Sequence, residues 1–129
     1  MAKASADTRF ATPKPLKSHG PARIIAMCNQ KGGVGKTTLA AVFAEQLSKK
    51  RNVFAVDLDP QNALRLHLGV PLQEVAGISR ATLLSKKWST CLFKSRDVNV
   101  LPYGNLNEVD RASFERWIAA RPDWFSSGL

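Results

Sequence analysis

Cysteine and histidine are nearly absent from this sequence, and long apolar runs are missing altogether. Cys28 and Cys91 are a single pair without metal-ligand spacing, which fits two ordinary thiols of a cytosolic chain better than a disulfide framework. His19 and His67 stand alone, so nothing supports a histidine metal site. No stretch reaches the ~18 to 20 uninterrupted apolar residues of a membrane span. The first 22 residues have no apolar core, which excludes a secretory signal. They hold three prolines and four Lys/Arg against one Asp, the composition of a disordered basic tail. The rival reading, a transit peptide, conflicts with those prolines.

Acidic residues are also scarce. Ten Asp and Glu face nineteen Lys and Arg, a formal net charge of +9. Such an excess favours an acidic partner, and polyphosphates, nucleic acid and membrane surfaces all qualify. The excess is spread over the tail, Lys49–Arg51 and the stretch from Arg80 to Arg96. That stretch carries Arg80, Lys86, Lys87, Lys94 and Arg96 around Trp88 and Phe93. A solvated connection with two core-facing aromatics explains it better than a nucleic-acid surface.

What remains alternates between strand and helix patterns. Residues 23–29, "RIIAMCN", form a short apolar run that reads as a buried strand. A helix follows from Thr37, with Leu39, Val42, Phe43 and Leu47 on one face and Lys49–Arg51 at its C-terminal end, where the dipole favours cations. Residues 53–59, "VFAVDLD", read as a second strand ending in Asp57 and Asp59. Pro60 breaks it, and residues 61–69 read as a short helix closed by Gly69. Residues 74–85 are weakly helical. Residues 98–104, "VNVLPYG", give a third strand. Asn107 is placed to cap a helix running to about Ala120, with Val109, Phe114, Trp117 and Ile118 supplying much of its apolar face. Pro122 and Asp123 mark the start of another helix. This order predicts an α/β fold, a parallel sheet flanked by helices, with ligands at the C-terminal ends of the strands. Both the glycine loop after residue 29 and the Asp57/Asp59 pair fall at such ends.

That loop, "CNQKGGVGKTT" at 28–38, carries the chemistry. A triphosphate must be desolvated and its charge held. Gly32, Gly33, Val34 and Gly35 form a segment whose backbone N–H groups can wrap phosphate oxygens, and the helix N-terminus behind it adds about half a positive charge. Lys36 is placed to reach the outer phosphates, and the Thr37 hydroxyl to ligate Mg²⁺. Thr38 can donate to an inner phosphate. The general phosphate-loop pattern also wants a glycine at position 30, which is Gln here.

"KGGVGKTT" resembles the deviant Walker A motif of the ParA/MinD group of ATPases, in which a signature lysine removes the need for that first glycine. The resemblance implies that Lys31 reaches across an ATP-dependent homodimer to the nucleotide of the other subunit, as an arginine finger does. "DLDPQN" at 57–62 is similar to the group's segment after its second strand. By that similarity Asp59 orients the attacking water and Asp57 supports the Mg²⁺ shell, while the residues alone indicate only two carboxylates beside a phosphate site. A capped helix start explains such a pair equally well.

"NALRLHLGV" and "VLPYGNL" are similar to the accessory ATPases of bacterial cellulose-synthase operons. This branch implies ATP and Mg²⁺ as cofactors, a cytoplasmic protein recruited to the inner membrane, and partners among cellulose-synthase components there. A ParA-like partition ATPase that binds DNA is the alternative, and a non-hydrolysing nucleotide-binding or scaffold fragment is a third reading. The group's Walker B strand, which lies between the first two strands, has no counterpart in this sequence. Residues 23–129 are therefore expected to be the N-terminal half of such a domain, an incomplete sheet of about three strands with a gap at its centre.

Overall fold

A computed structural model describes residues 21–128. The expected tail lies almost wholly outside them. In chain order the elements are α1 (Lys36–Ser48), β1 (Val53–Val56), α2 (Leu64–His67), α3 (Ile78–Leu83), a 3₁₀ turn (Trp88–Cys91), β2 (Phe93–Ser95), β3 (Val98–Leu101), α4 (Glu108–Ala119) and α5 (Trp124–Gly128). The α/β class is as expected, and the sheet has three strands in the order β1-β3-β2. It is mixed rather than purely parallel. Val53 pairs with Val98 and Val56 with Leu101 in the parallel pair β1–β3. Phe93 pairs with Val100 in the antiparallel pair β2–β3.

Two corrections concern strands. Residues 23–29 form no strand, and Ile24 and Ile25 are 76% and 61% exposed. A strand is held by hydrogen bonds to a neighbour, and among the described residues no strand is paired with this segment. Conversely, β2 was not expected. It joins β3 through a two-residue turn at Arg96 and Asp97, with Arg96 in the left-handed region at φ 54°. Hairpins of that length are usually signalled by Asn-Gly or Asp-Gly, and this one is not.

The helix α1 meets the sheet through its small residues. Ala41 and Ala44 are buried with Leu64, Leu68, Val70, Phe93, Val98 and Val100. Alanine lets the helix axis approach β1 and β3 closely. The large residues expected to face the core do not: Leu39, Val42, Phe43 and Leu47 are all exposed. They share one sequence pattern but look away from the three strands that exist here.

A second core cluster joins Ile78, Ala81, Cys91 and Leu101, with Trp88, Trp124 and Phe125 packed against it. The aromatic rings of Phe114 and Trp124 meet edge to face at 5.6 Å, as do those of Trp88 and Trp124. Trp88 Nε1 donates to Thr82 Oγ1 at 3.0 Å, so its one polar atom is satisfied. Phe93 is buried and Trp88 half-buried, while Arg80, Lys86, Lys87, Lys94 and Arg96 are exposed. The reading of a solvated connection with inward aromatics therefore holds. On α4, Asn107 Oδ1 accepts from Asp110 N at 2.8 Å as the expected cap. Phe114 is buried as anticipated, but Val109 is 73% exposed because it lies in the first turn, beyond the packing face.

The segment "LPYG" after β3 has a backbone role. Ile78 N donates to Pro102 O at 2.9 Å and Ser79 N to Tyr103 O at 3.1 Å. This brings Gly77 against Gly104, and Gly104 adopts φ 94°. The start of α3 is thus fastened to the end of the central strand, beside the loop that carries Asp57 and Asp59.

Candidate functional site

The glycine loop and the carboxylate loop face each other across one cleft of about 440 Å³. One wall runs from Gly32 to Thr38, and the other is made by Asp59, Gln61, Ala63 and His67. Gly33 and Gly35 take φ 70° and 83°, conformations that a side chain resists. Asn29 Oδ1 accepts from Lys31 N at 2.9 Å and tightens the entry to the loop. Gly35 is the N-cap of α1, and no side chain caps it. The first intrahelical bond of the ladder is Leu39 N to Gly35 O at 2.9 Å. The N–H groups of Lys36, Thr37 and Thr38 therefore have no acceptor within the helix. Lys36 Nζ curls over the loop and donates to the Lys31 carbonyl at 3.3 Å.

The opposite wall is organised by Asp57. The residue is 7% exposed; Oδ1 accepts from Asp59 N at 3.0 Å and Oδ2 from Leu64 N at 3.0 Å. One carboxylate thus holds both ends of the turn between β1 and α2. Asp59 Oδ1 in turn accepts from Gln61 N at 2.9 Å. Asn62 takes the left-handed conformation at φ 51°, which Asn tolerates better than most residues. Its Nδ2 donates to Asn105 Oδ1 at 3.2 Å, tying this wall to the loop after β3.

Of the residues expected from sequence, Gly32, Gly33, Val34, Gly35, Lys36, Thr37, Thr38 and Asp59 line the cleft together. Lys31 and Asp57 do not line it. Lys31 is exposed on the loop, and Asp57 lies behind the wall, engaged with backbone. Gln61, Ala63 and His67 line the cleft without having been singled out. Ala63 and His67 are four residues apart at the start and end of α2, a spacing that places them on one face and could have flagged His67.

Burial raises the Asp57 pKa above 3.8, partly offset by the N–H groups of Asp59 and Leu64, with the Asp59 charge adding to the rise. A carboxyl with a raised folded pKa holds its proton more tightly when folded. Between 3.8 and its folded value the native state then binds more protons, so stability declines as pH rises through that window. Asp57→Asn removes this titration and one of the two acceptors. The variant should be less stable by about 1 to 3 kcal/mol at neutral pH, and its urea midpoint should change less across the acid window than that of the parent. Equal pH slopes in the two proteins would assign the effect to another group.

The arrangement suits a polyanion. Uncapped helix N–H groups, a glycine cradle and an ammonium converge on one space, the combination that takes phosphate. Among the described residues no group of three or more His, Cys, Asp or Glu could hold a metal by itself.

A family model described as "Cellulose biosynthesis protein BcsQ" matches residues 22–128. The chain belongs to the BcsQ family. Its similarity to the cellulose biosynthesis protein BcsQ of Escherichia coli is 32% identity over 108 residues, covering 82% of this chain and 43% of the relative. The chromosome partitioning protein ParA of Myxococcus xanthus is 42% identical over 66 residues, covering 50% of this chain and 23% of the relative. An uncharacterized protein of Mycobacterium tuberculosis is 56% identical over 64 residues, covering 49% and 20%. The chain spans less than half the length of each of these curated relatives. These matches support a protein of ParA/MinD type. No helix among the described residues is long and apolar enough to cross a membrane.

Proposed function

We propose that this BcsQ-family chain is the nucleotide-binding part of an ATPase that dimerises when loaded with ATP and acts in bacterial cellulose biosynthesis at the inner membrane. The observation that carries this reading is the cleft itself, where an uncapped helix N-terminus and Lys36 face Asp59. In this mechanism the loop N–H groups from Gly32 to Gly35 hold the β- and γ-phosphates, Lys36 neutralises their outer oxygens, and Thr38 donates to an inner phosphate. Thr37 would hold Mg²⁺, which would offset charge on the transferring phosphoryl group, and the buried Asp57 would support that shell from behind through the turn it holds. Asp59 orients the attacking water. Lys31 acts on the nucleotide of a second copy, and its exposure outside its own cleft supports that role.

Leu39, Val42 and Phe43 are exposed on α1, Phe54 is exposed on the face of β1 away from α1, and among the described residues the outer edge of β1 is unpaired. We assign this apolar surface and free strand edge to packing with further polypeptide of the same domain, which also supplies the Walker B strand. The match to ParA favours one alternative, a partition ATPase. ATP-dependent retention of DNA by the full-length protein would select it.

Lys36→Ala tests the site. Removing a charge from a partly desolvated phosphate site costs about 1.5 to 3 kcal/mol, so a fluorescent ATP analogue should bind at least about tenfold more weakly. Unchanged affinity would contradict the assignment of the loop.

A further inference from the structure

We propose that His67 is a further nucleotide-contacting residue, whose imidazole N–H donates to the terminal phosphate of a bound nucleoside triphosphate and so favours triphosphate over diphosphate. The inference rests on the reading of the cleft as a nucleotide site.

Four observations carry it. First, His67 lines the same cleft as Lys36, on the opposite wall. Second, its position is firmly set. Leu64 and Leu68, on either side of it in α2 and its C-cap, are 4% and 3% exposed. The start of that helix is held by the bond from Leu64 N to Asp57. Third, His67 is exposed and its side chain makes no hydrogen bond among the described residues, so a donor is free on a surface that faces a cationic loop. Ala63, one turn earlier on the same wall, is too small to fill the space before it.

Fourth, the chemistry of the wall calls for a donor. Asp59 is the one charged residue on that side of the cleft, and it is an acid. A terminal phosphate lying between Lys36 and Asp59 would meet repulsion on the Asp59 side. An imidazole N–H on the same wall supplies an attractive contact there. The cleft has no aromatic side chain for a base to stack upon, His67 excepted, and its walls are glycine, threonine, lysine and other small or polar groups. Such a lining suits the phosphate chain. With Thr38 on an inner phosphate and the loop and Lys36 on the outer ones, the terminal phosphate is the one that would also meet the opposite wall.

The experiment measures binding of N-methylanthraniloyl-ATP and N-methylanthraniloyl-ADP, with Mg²⁺, to the full-length protein. Four forms are compared: the parent, His67→Ala, His67→Gln and Lys36→Ala. A lost neutral hydrogen bond corresponds to roughly threefold to tenfold. His67→Ala should therefore weaken ATP binding by about that factor and leave ADP binding within about twofold. His67→Gln retains an N–H donor and should restore most of the ATP affinity. Preserved ADP affinity also reports that the variant is folded. Equal losses for both nucleotides with no rescue by Gln would overturn the contact with the terminal phosphate in favour of stacking or a structural role. Unchanged ATP binding in His67→Ala, with Lys36→Ala weakened, would overturn the inference alone. Unchanged binding in Lys36→Ala would overturn the nucleotide site itself.

Discussion

Lys31→Ala in the full-length protein is expected to lower ATP turnover by about 10³-fold or more while leaving ATP affinity of the monomer within about twofold. The size of the effect follows from what a charge supplied in trans does at a phosphoryl group, where removal of an arginine finger costs 10³ to 10⁵. The selectivity follows from placement. Lys31 is exposed on the loop and absent from the lining of its own cleft, so the monomer loses little by its removal. Lys36, five residues later, lines that cleft. Asp59→Ala should behave oppositely to Lys31→Ala, retaining an ATP-loaded dimer because the attacking water is no longer oriented. Its loss also frees the Gln61 N–H, an exposed group that water can satisfy. If Lys31→Ala turns over ATP at the parent rate, the deviant-Walker reading fails even where the phosphate loop survives.

Gly77→Ala is expected to be the most destabilising single substitution outside the cores. A Cβ at position 77 would overlap the backbone nitrogen and Cα of Gly104, and neither belongs to a flexible side chain that could move aside. Gly104 is itself held at φ 94°, where a side chain is strained, and a Cβ there would lie 3.0 Å from Gly77 Cα. Relief requires parting α3 from the end of β3, with the loss of the bonds from Ile78 N and Ser79 N to Pro102 and Tyr103. Ser79 Oγ, also donating to Tyr103 O at 2.6 Å, would go with them. Overpacking of this kind costs about 1 to 3 kcal/mol, and each lost buried hydrogen bond adds about 1. We expect a total of at least about 3 kcal/mol by urea denaturation. A loss below about 1 kcal/mol would mean that the two backbones do not approach as described.

The features legible in the sequence are those set by local chemistry. The glycines at 33 and 35, the cap at Asn107 and the closing Gly69 each depend on backbone conformation within a few residues, and each is found where expected. The cleft wall from Gly32 to Thr38 was legible for the same reason. What was not legible depends on distant partners. Residues 23–29 have a strand's composition but no paired strand. Leu39, Val42 and Phe43 have a core pattern, yet the sheet receives the alanines of α1 instead. The strand at Phe93–Ser95 hid behind an Arg-Asp turn that lacks the usual glycine. Asp57 lined a strand end in the sequence, but its carboxylate turned inward to hold the turn. His67 stood alone in the sequence and gained a setting only when α2 placed it across from Lys36.

In the proposed mechanism, triphosphate in this cleft drives two copies together. The most direct test is the molar mass of the full-length protein by light scattering, with Mg²⁺ and either ATP or ADP. A dimer is expected with ATP, a monomer with ADP, and a monomer with either nucleotide once Lys31 is replaced by Ala. A mass that is the same with ATP as with ADP, in a protein that demonstrably binds both, would contradict that mechanism.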